Sequence, residues 1–268
     1  MHKQGHYGVS LLLTAPFVAV FLLAELYLFA AVFGIITVKW CSLPDIDIPL
    51  QNYDTLSFRT VDLGHWIWIP ILSKTGTIMR FHGRFIKRVP KHYSGKTIGH
   101  RGITHTLWFG MALGVGLVGV TASIIGTALL LDEFYQTPFI ESAQMLINGP
   151  LLGILPVVFL AGVCSVTFHC VGDTFTPTGI HFLTPRTDYG FSMNQFYANN
   201  TVANRSALPF GVLGMSYALF VGFAAHTQPW YYLLGGFVAL FIVGIPIWLF
   251  AIRTPVGRWI YTIYDFFR

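Results

Sequence analysis

Two long stretches of the chain, residues 102–185 and 206–251, contain no Lys or Arg, and this constrains the fold more than any motif does. Each holds two apolar runs, 103–131 and 150–171 in the first, 208–225 and 230–251 in the second. All are near the ~20 residues that cross a ~30 Å hydrocarbon core. Composition agrees: of 268 residues, 54% are hydrophobic and 10% charged, with a mean hydropathy of +0.63. A soluble domain carries about 25% charged residues. The 24 Phe, 12 Tyr and 7 Trp exclude disorder, and three cysteines exclude a disulfide-rich scaffold. The chain therefore reads as an all-α polytopic membrane protein.

Charge sets the topology. Ten of the sixteen Lys and Arg fall within 39–101, which the positive-inside rule places in the cytoplasm. The connector 132–148 carries Asp132, Glu133 and Glu141 and no basic residue, which suits the opposite side. Alternation then returns the loop 172–207, with Arg186 and Arg205, and the tail with Arg253, Arg258 and Arg268 to the cytoplasm. Region 7–38 is one long span or two short ones. A single helix would be roughly 48 Å long and would bury Glu25 near mid-membrane at about 2.5–3.5 kcal/mol. A hairpin turning at Ala24-Glu25, with arms 3–23 and 26–43, exposes that carboxylate instead. No Gly or Pro marks such a turn, and Pro16 has to be absorbed within the first arm. The hairpin gives six crossings, the single helix five.

The chain divides into a membrane-embedded core, 1–185, and a loop with a C-terminal transmembrane hairpin, 186–268. Within the core, 50–101 reads as a basic interfacial segment. Its Arg80, Arg84, Lys87, Arg88, Lys91 and Lys96 suit anionic headgroups at about 1 kcal/mol each.

The unusual polar residues form four clusters, each at an expected cytoplasmic helix end: His6; Asp45 and Asp47; His100 and His105; His169 and Asp173. His169 and Asp173 are four apart, so a helix continuing through Gly172 puts both on one face. Asp45 and Asp47 lie between Pro44 and Pro49, which points to a bent, extended turn presenting two carboxylates. His105 opens a span with Thr104 as a plausible N-cap, and Arg101 adds positive charge suited to an anion. Imidazoles and carboxylates in this number suit Zn²⁺, Mn²⁺ or Fe²⁺, and more than one ion. Cys41, Cys164 and Cys170 lack metal-ligand spacing, which excludes a thiolate site.

These blocks, Gly5-His6, Leu43-Pro44-Asp45-Ile46-Asp47, Gly99-His100-Arg101-Gly102-Ile103-Thr104-His105-Thr106, and His169 to Asp173 followed by Thr176-Pro177-Thr178-Gly179-Ile180, resemble the YdjM-type inner-membrane proteins. That family is described as predicted membrane-bound metal-dependent hydrolases with a distant similarity to zinc-dependent phospholipase C. The motifs cover 1–185 and depart from the family at Ile48, where a His commonly follows Pro-Asp-Ile-Asp. The resemblance implies that His6, Asp45, Asp47, His100 or His105, His169 and Asp173 converge on metal. It requires His6 on the cytoplasmic side, as the hairpin provides.

The resulting expectation is a metal-dependent phosphoesterase in the inner membrane of a prokaryote, working at the cytoplasmic face on a phospholipid or another amphiphilic phosphate ester. Asp45, Asp47, His100 and Arg101 are its catalytic candidates, Asp45 or Asp47 as base and Arg101 on the substrate phosphate. His6, Asp45, Asp47, His105, His169 and Asp173 are the metal ligands. Membrane lipid is the expected partner, nucleic acid is not, and oligomeric state is left open. The rival is a non-enzymatic metal-binding or cation-transport protein, which would place polar residues near mid-membrane.

Overall fold

The computed structural model describes residues 3–47, 103–135, 151–177, 191–198, 200–224 and 229–255, with 141, 179, 180 and 182 in addition. The basic segment 50–101, including His100 and Arg101, lies outside these residues, as does Arg186. The helices are α1 (Lys3–Leu23), α2 (Tyr27–Trp40), α3 (Leu107–Tyr135), α4 (Ile154–Thr174), α5 (Thr201–Ala224), α6 (Pro229–Val238) and α7 (Ile245–Arg253). A π-helical turn, Ala239–Gly244, carries α6 into α7. Among the described residues six segments are long and apolar enough to cross a membrane: Gln4–Leu23, Tyr27–Asp45, Leu107–Tyr135, Ile154–Thr174, Thr201–Phe223 and Gly235–Arg253. Six crossings, not five, are therefore available.

The extra crossing comes from the turn between α1 and α2, at the expected position. Glu25 adopts φ +59°, and the Leu26 N–H donates to Phe21 O while the Glu25 N–H donates to Leu22 O, at 2.9 and 3.0 Å. This is the Schellman arrangement, in which the residue after the helix cap is left-handed and is usually Gly. Exposed Glu25 takes that place, so the turn carries no glycine signal. Glu25→Gly is expected to stabilise the hairpin by about 1 kcal/mol, because Gly reaches positive φ without the clash of Cβ. A rise in the midpoint of thermal unfolding in detergent checks this.

Helix α1 is the axis of the bundle, packing along α5 and also against α2 and α4. Contact pairs along α1 and α5 run in the same direction, Gly8 near Ala207 and Gly211, Leu12 at Gly214, Leu22 at Gly222. The two helices are thus parallel and begin at the same end. Small residues set their approach, as in membrane helix pairs that lack a hydrophobic drive between helices. Gly110 and Gly114 of α3 meet Val163, Phe159 and Gly162 of α4 in the same way. Gly116 and Gly119, on the same helix, face open space. That outer side of α3, with Val115, Val120, Ile124 and Leu130 exposed, is the surface left for lipid. The central core is Phe29, Phe33, Ala15, Ala19, Val158, Ala161, Ala218 and Val221.

Three local expectations are corrected. The Leu43–Asp47 segment is a 3₁₀ helix rather than an extended turn, since Pro44 has the φ a helical first turn needs. Helix α5 starts at Thr201, not near 208, because Asn200 Oδ1 accepts the Ala203 N–H at 2.9 Å and caps it. Arg205 therefore sits on a helix, not in a loop. The cap of α3 is Thr106, whose Oγ1 accepts the Phe109 N–H at 3.3 Å, so Thr104 is released for another task.

Candidate metal centre

Alternation of α1, α2, α3 and α4 brings the start of α1, the 3₁₀ turn after α2, the 3₁₀ turn Ile103–His105 before α3 and the last turn of α4 to one end of the bundle. His6, Asp45, His105, His169 and Asp173 meet there. All but Asp45 are at most 1% exposed as residues, and the Asp45 side chain is 19% exposed. Helix α4 runs unbroken through Gly172, so His169 and Asp173 share a face as the four-residue spacing requires. The 3₁₀ turn holding Asp45 packs on the one holding His105.

The distances describe a cage. His105 Nε2 lies 3.2 Å from His169 Nε2, 3.4 Å from Asp173 Oδ2 and 3.7 Å from Asp45 Oδ1. His169 Nε2 lies 3.5 Å from both Asp173 Oδ2 and Asp45 Oδ1. These are two triangles that share the His105–His169 edge, with Asp45 Oδ1 and Asp173 Oδ2 as their far corners. Corners around an ion with ligand distances of ~2.1 Å are ~3.4 Å apart, which is the observed spacing. Two imidazole nitrogens, with one oxygen of Asp45 and one of Asp173 at that spacing from both, suit a divalent cation, whose charge the buried Asp173 and the partly exposed Asp45 would balance.

His6 stands at the other oxygen of Asp173. Its Nε2 is 3.4 Å from Asp173 Oδ1, and its ring stacks on His169 with centroids 3.7 Å apart and planes 10° from parallel. His6, His169 and Asp173 form a second group able to hold a metal, beside Asp45, His105 and His169, with all donor atoms in each group within 4.8 Å. His169 belongs to both. One imidazole nitrogen has one lone pair for metal, so His169 Nε2 serves one ion at a time. A second ion between His6 and Asp173 Oδ1 would need ligands beyond this shared nitrogen.

Supporting contacts aim the imidazoles. Thr104 Oγ1 lies 3.2 Å from His105 Nδ1, and an Nδ1–H donated to it leaves the Nε2 lone pair for metal. Cys170 Sγ–H donates to His105 O at 3.3 Å, so this cysteine braces a ligand-bearing turn. The Thr176 hydroxyl and N–H both donate to Asp173 O, at 2.8 and 3.0 Å, closing the end of α4. Sequence reasoning counted Thr176 and Cys170 within the motif blocks but gave neither a role, because each acts on a backbone carbonyl. Downstream, Gly179 has φ +57° and no room for a Cβ against Phe191, which makes glycine obligatory where the chain doubles back over this end.

Burial works against a charge on His105, but hydrogen bonds to Asp173 and Asp45 outweigh it and raise the pKa above the ordinary 6.5. In the metal-free protein the His105 proton therefore persists above that pH, and metal has to displace it. Affinity for a divalent ion is expected to fall by at least tenfold per pH unit as pH drops below that raised pKa, the His105 proton being among those released when an ion binds. Calorimetric titration in two buffers of different ionisation enthalpy measures the released protons directly.

Of the residues expected at the site, the structure brings together His6, Asp45, His105, His169 and Asp173. The side chain of Asp47 and all of His100 and Arg101 lie outside the described residues. No curated protein and no solved structure matches the chain. The model of one family, described as the YdjM inner membrane protein family, matches residues 1–253, extending past the four motif blocks to the end of α7. With nearly its whole length matched and its His and Asp blocks gathered at one end of six apolar helices, the chain belongs to the YdjM inner membrane protein family.

Proposed function

We propose that this membrane protein is a metal-dependent hydrolase, a phosphoesterase acting on a phospholipid or another amphiphilic phosphate ester at the cytoplasmic face. The observation that carries the reading is the four-donor cage of Asp45, His105, His169 and Asp173, with Asp45 as its one partly exposed corner. A divalent ion held there lowers the pKa of a bound water towards 7 and polarises a phosphoryl oxygen. Asp173 and the three histidines are sealed from water and fix the centre. Asp45 stands where solvent and substrate reach it, so its carboxylate is the group able to exchange a ligand position for substrate or to accept a proton from water. Cytoplasmic placement follows from the basic segment 39–101, which connects α2 to α3 at the site's end. Lipid is favoured because the site lies at helix ends, at headgroup depth. Zn²⁺ suits the tetrahedral mix of imidazole and carboxylate best, with Mn²⁺ and Fe²⁺ behind it.

The rival, a cation path, has one supporting feature. Ser10 and Thr14 follow His6 at helical spacing on α1, and Ser10 donates to Thr37 O of α2 at 3.3 Å, all three being fully buried. That polar run ends at Phe33, which is 0% exposed and packed by Phe17 and Phe21 at 5.1 and 5.7 Å. A buried polar run that stops at an aromatic layer fits chemistry at the surface better than transport through the bilayer. The test is release of phosphate or of a phosphorylated headgroup from mixed micelles by metal-loaded protein. Activity that disappears on chelation, returns with Zn²⁺ or Mn²⁺ and is lost in Asp45→Asn supports the hydrolase. Absence of turnover on phosphomonoester and phosphodiester lipids, with metal bound, overturns it.

A further inference from the structure

A cavity of about 550 Å³ lies between the 191–198 loop, the start of α5 and the end of α7. Its size falls within the 300–1,000 Å³ of small-molecule sites. The lining is amphiphilic. Buried Phe196 and Ile252 supply an apolar floor, and Asn194, Gln195 and Asn200 supply carboxamides around it. Among the described residues the one charged member of the lining is Arg253, the last residue of the Gly235–Arg253 span, and no described acid accompanies it. Arg253 donates from Nε to Gln195 O at 3.4 Å and pairs with no carboxylate among the described residues. The Nε contact holds the planar guanidinium at the cavity wall while its terminal nitrogens remain available.

A cation fixed at a membrane-edge cavity, with neutral hydrogen-bond donors and an apolar floor, matches an anion that carries apolar substituents. Arg suits phosphate through its fork of donors. Carboxamide nitrogens suit the remaining phosphate or glycerol oxygens. The position adds to this: Pro177 lines the cavity and directly follows Thr176, which is bonded to Asp173 O at the metal centre. The geometry points to this cavity as a binding site for a phosphate-bearing headgroup of net negative charge, with Arg253 as its anion-recognising residue. The site stands on the cavity and its charge and does not rest on hydrolysis at the metal centre.

Native mass spectrometry of the full chain, purified in maltoside detergent and washed free of lipid, tests the site. The probes are dioleoylphosphatidylglycerol, dioleoylphosphatidylcholine and, without acyl chains, sn-glycerol 3-phosphate. Wild type is expected to retain one phosphatidylglycerol at least tenfold more tightly than phosphatidylcholine. Arg253→Gln should erase that preference, Arg253→Lys should keep part of it, and Val202→Trp, which fills the cavity and leaves Arg253 in place, should lose the lipid. Metal content should stay unchanged in all three variants, so this result is separable from any failure of the hydrolase reading. Glycerol 3-phosphate bound as tightly as the lipid, and lost in the same variants, supports the site and makes its ligand a soluble phosphate ester. Equal retention of both lipids by wild type, or a preference that survives Arg253→Gln and Val202→Trp, overturns the proposal.

Discussion

Asp173→Asn is expected to weaken divalent-metal binding by more than about a hundredfold while leaving the helical bundle intact. Among the described residues Asp173 is the one within 3.5 Å of all three imidazoles, with Oδ1 facing His6 and Oδ2 facing His105 and His169. Asparagine keeps the shape and removes the charge, so the loss measures electrostatics rather than packing. Replacing groups that merely orient metal ligands already costs 10–100-fold in affinity, and removing a ligand itself exceeds that. His169→Ala should be as severe, since that ring is an edge partner of both groups able to hold metal. Asp45→Asn should cost less, because its side chain is 19% exposed and water can take the vacated position. Elemental analysis of detergent-purified protein, after removal of loosely held ions, reads all three. Full metal stoichiometry in Asp173→Asn with unchanged circular dichroism would show that the cage is not the ligand set.

Much of this arrangement is legible in the sequence, and the unreadable parts share a cause. Crossings are written in composition over ~20 residues, so every span was recoverable to within a turn or so at one end. The exception is the start of α5, where polar Asn204, Arg205 and Ser206 mask a helix that a local Asn200 cap begins. The site was legible because charge in apolar surroundings is costly, so each His and Asp near a span end is conspicuous. The resemblance left His100 or His105 open as a ligand, because a Gly-flanked loop leaves orientation open, and the sequence reading made His105 the ligand; His100 lies outside the described residues. The 3₁₀ turn Ile103–His105, tied through Thr104 Oγ1 and Cys170 Sγ, turns His105 inward.

The hairpin between α1 and α2 illustrates the opposite limit. Its turn was placed at Ala24-Glu25 from the length of the apolar run and the cost of burying a carboxylate, while local turn chemistry argued against it. The structure forms the turn there by holding Glu25 at positive φ. Membrane thickness outweighed local propensity: two well-packed spanning arms compensate for one strained residue of order 1 kcal/mol. His6 reaches the site because of that decision, since a single long span would leave α1 and α2 unable to present both ends on one side.

The largest effect on the fold is expected from Gly8→Leu or Gly211→Val. A Cβ on Gly8 would fall on the Ala207 carbonyl group, and one on Gly211 would fall on Gly8 O, so both meet backbone rather than a side chain that can rotate away. Overpacked cores that can shift lose about 1–3 kcal/mol, and a backbone collision at the tightest point of the bundle's most extensive helix pair exceeds that range. Separation of α1 from α5 would also carry His6 away from Asp173, two residues before the collision, so metal binding should fall together with stability. Gly116→Ala and Gly119→Ala provide the contrast. Nothing lies within 4 Å of a Cβ at either position, and alanine is favoured over glycine in a helix by about 1 kcal/mol, so both should unfold at or above the wild-type temperature. Thermal unfolding in detergent, followed by metal analysis of what remains folded, separates the two classes. Wild-type stability in Gly8→Leu would mean that α1 and α5 do not meet at this crossing, and the placement of His6 at the metal centre would fall with it.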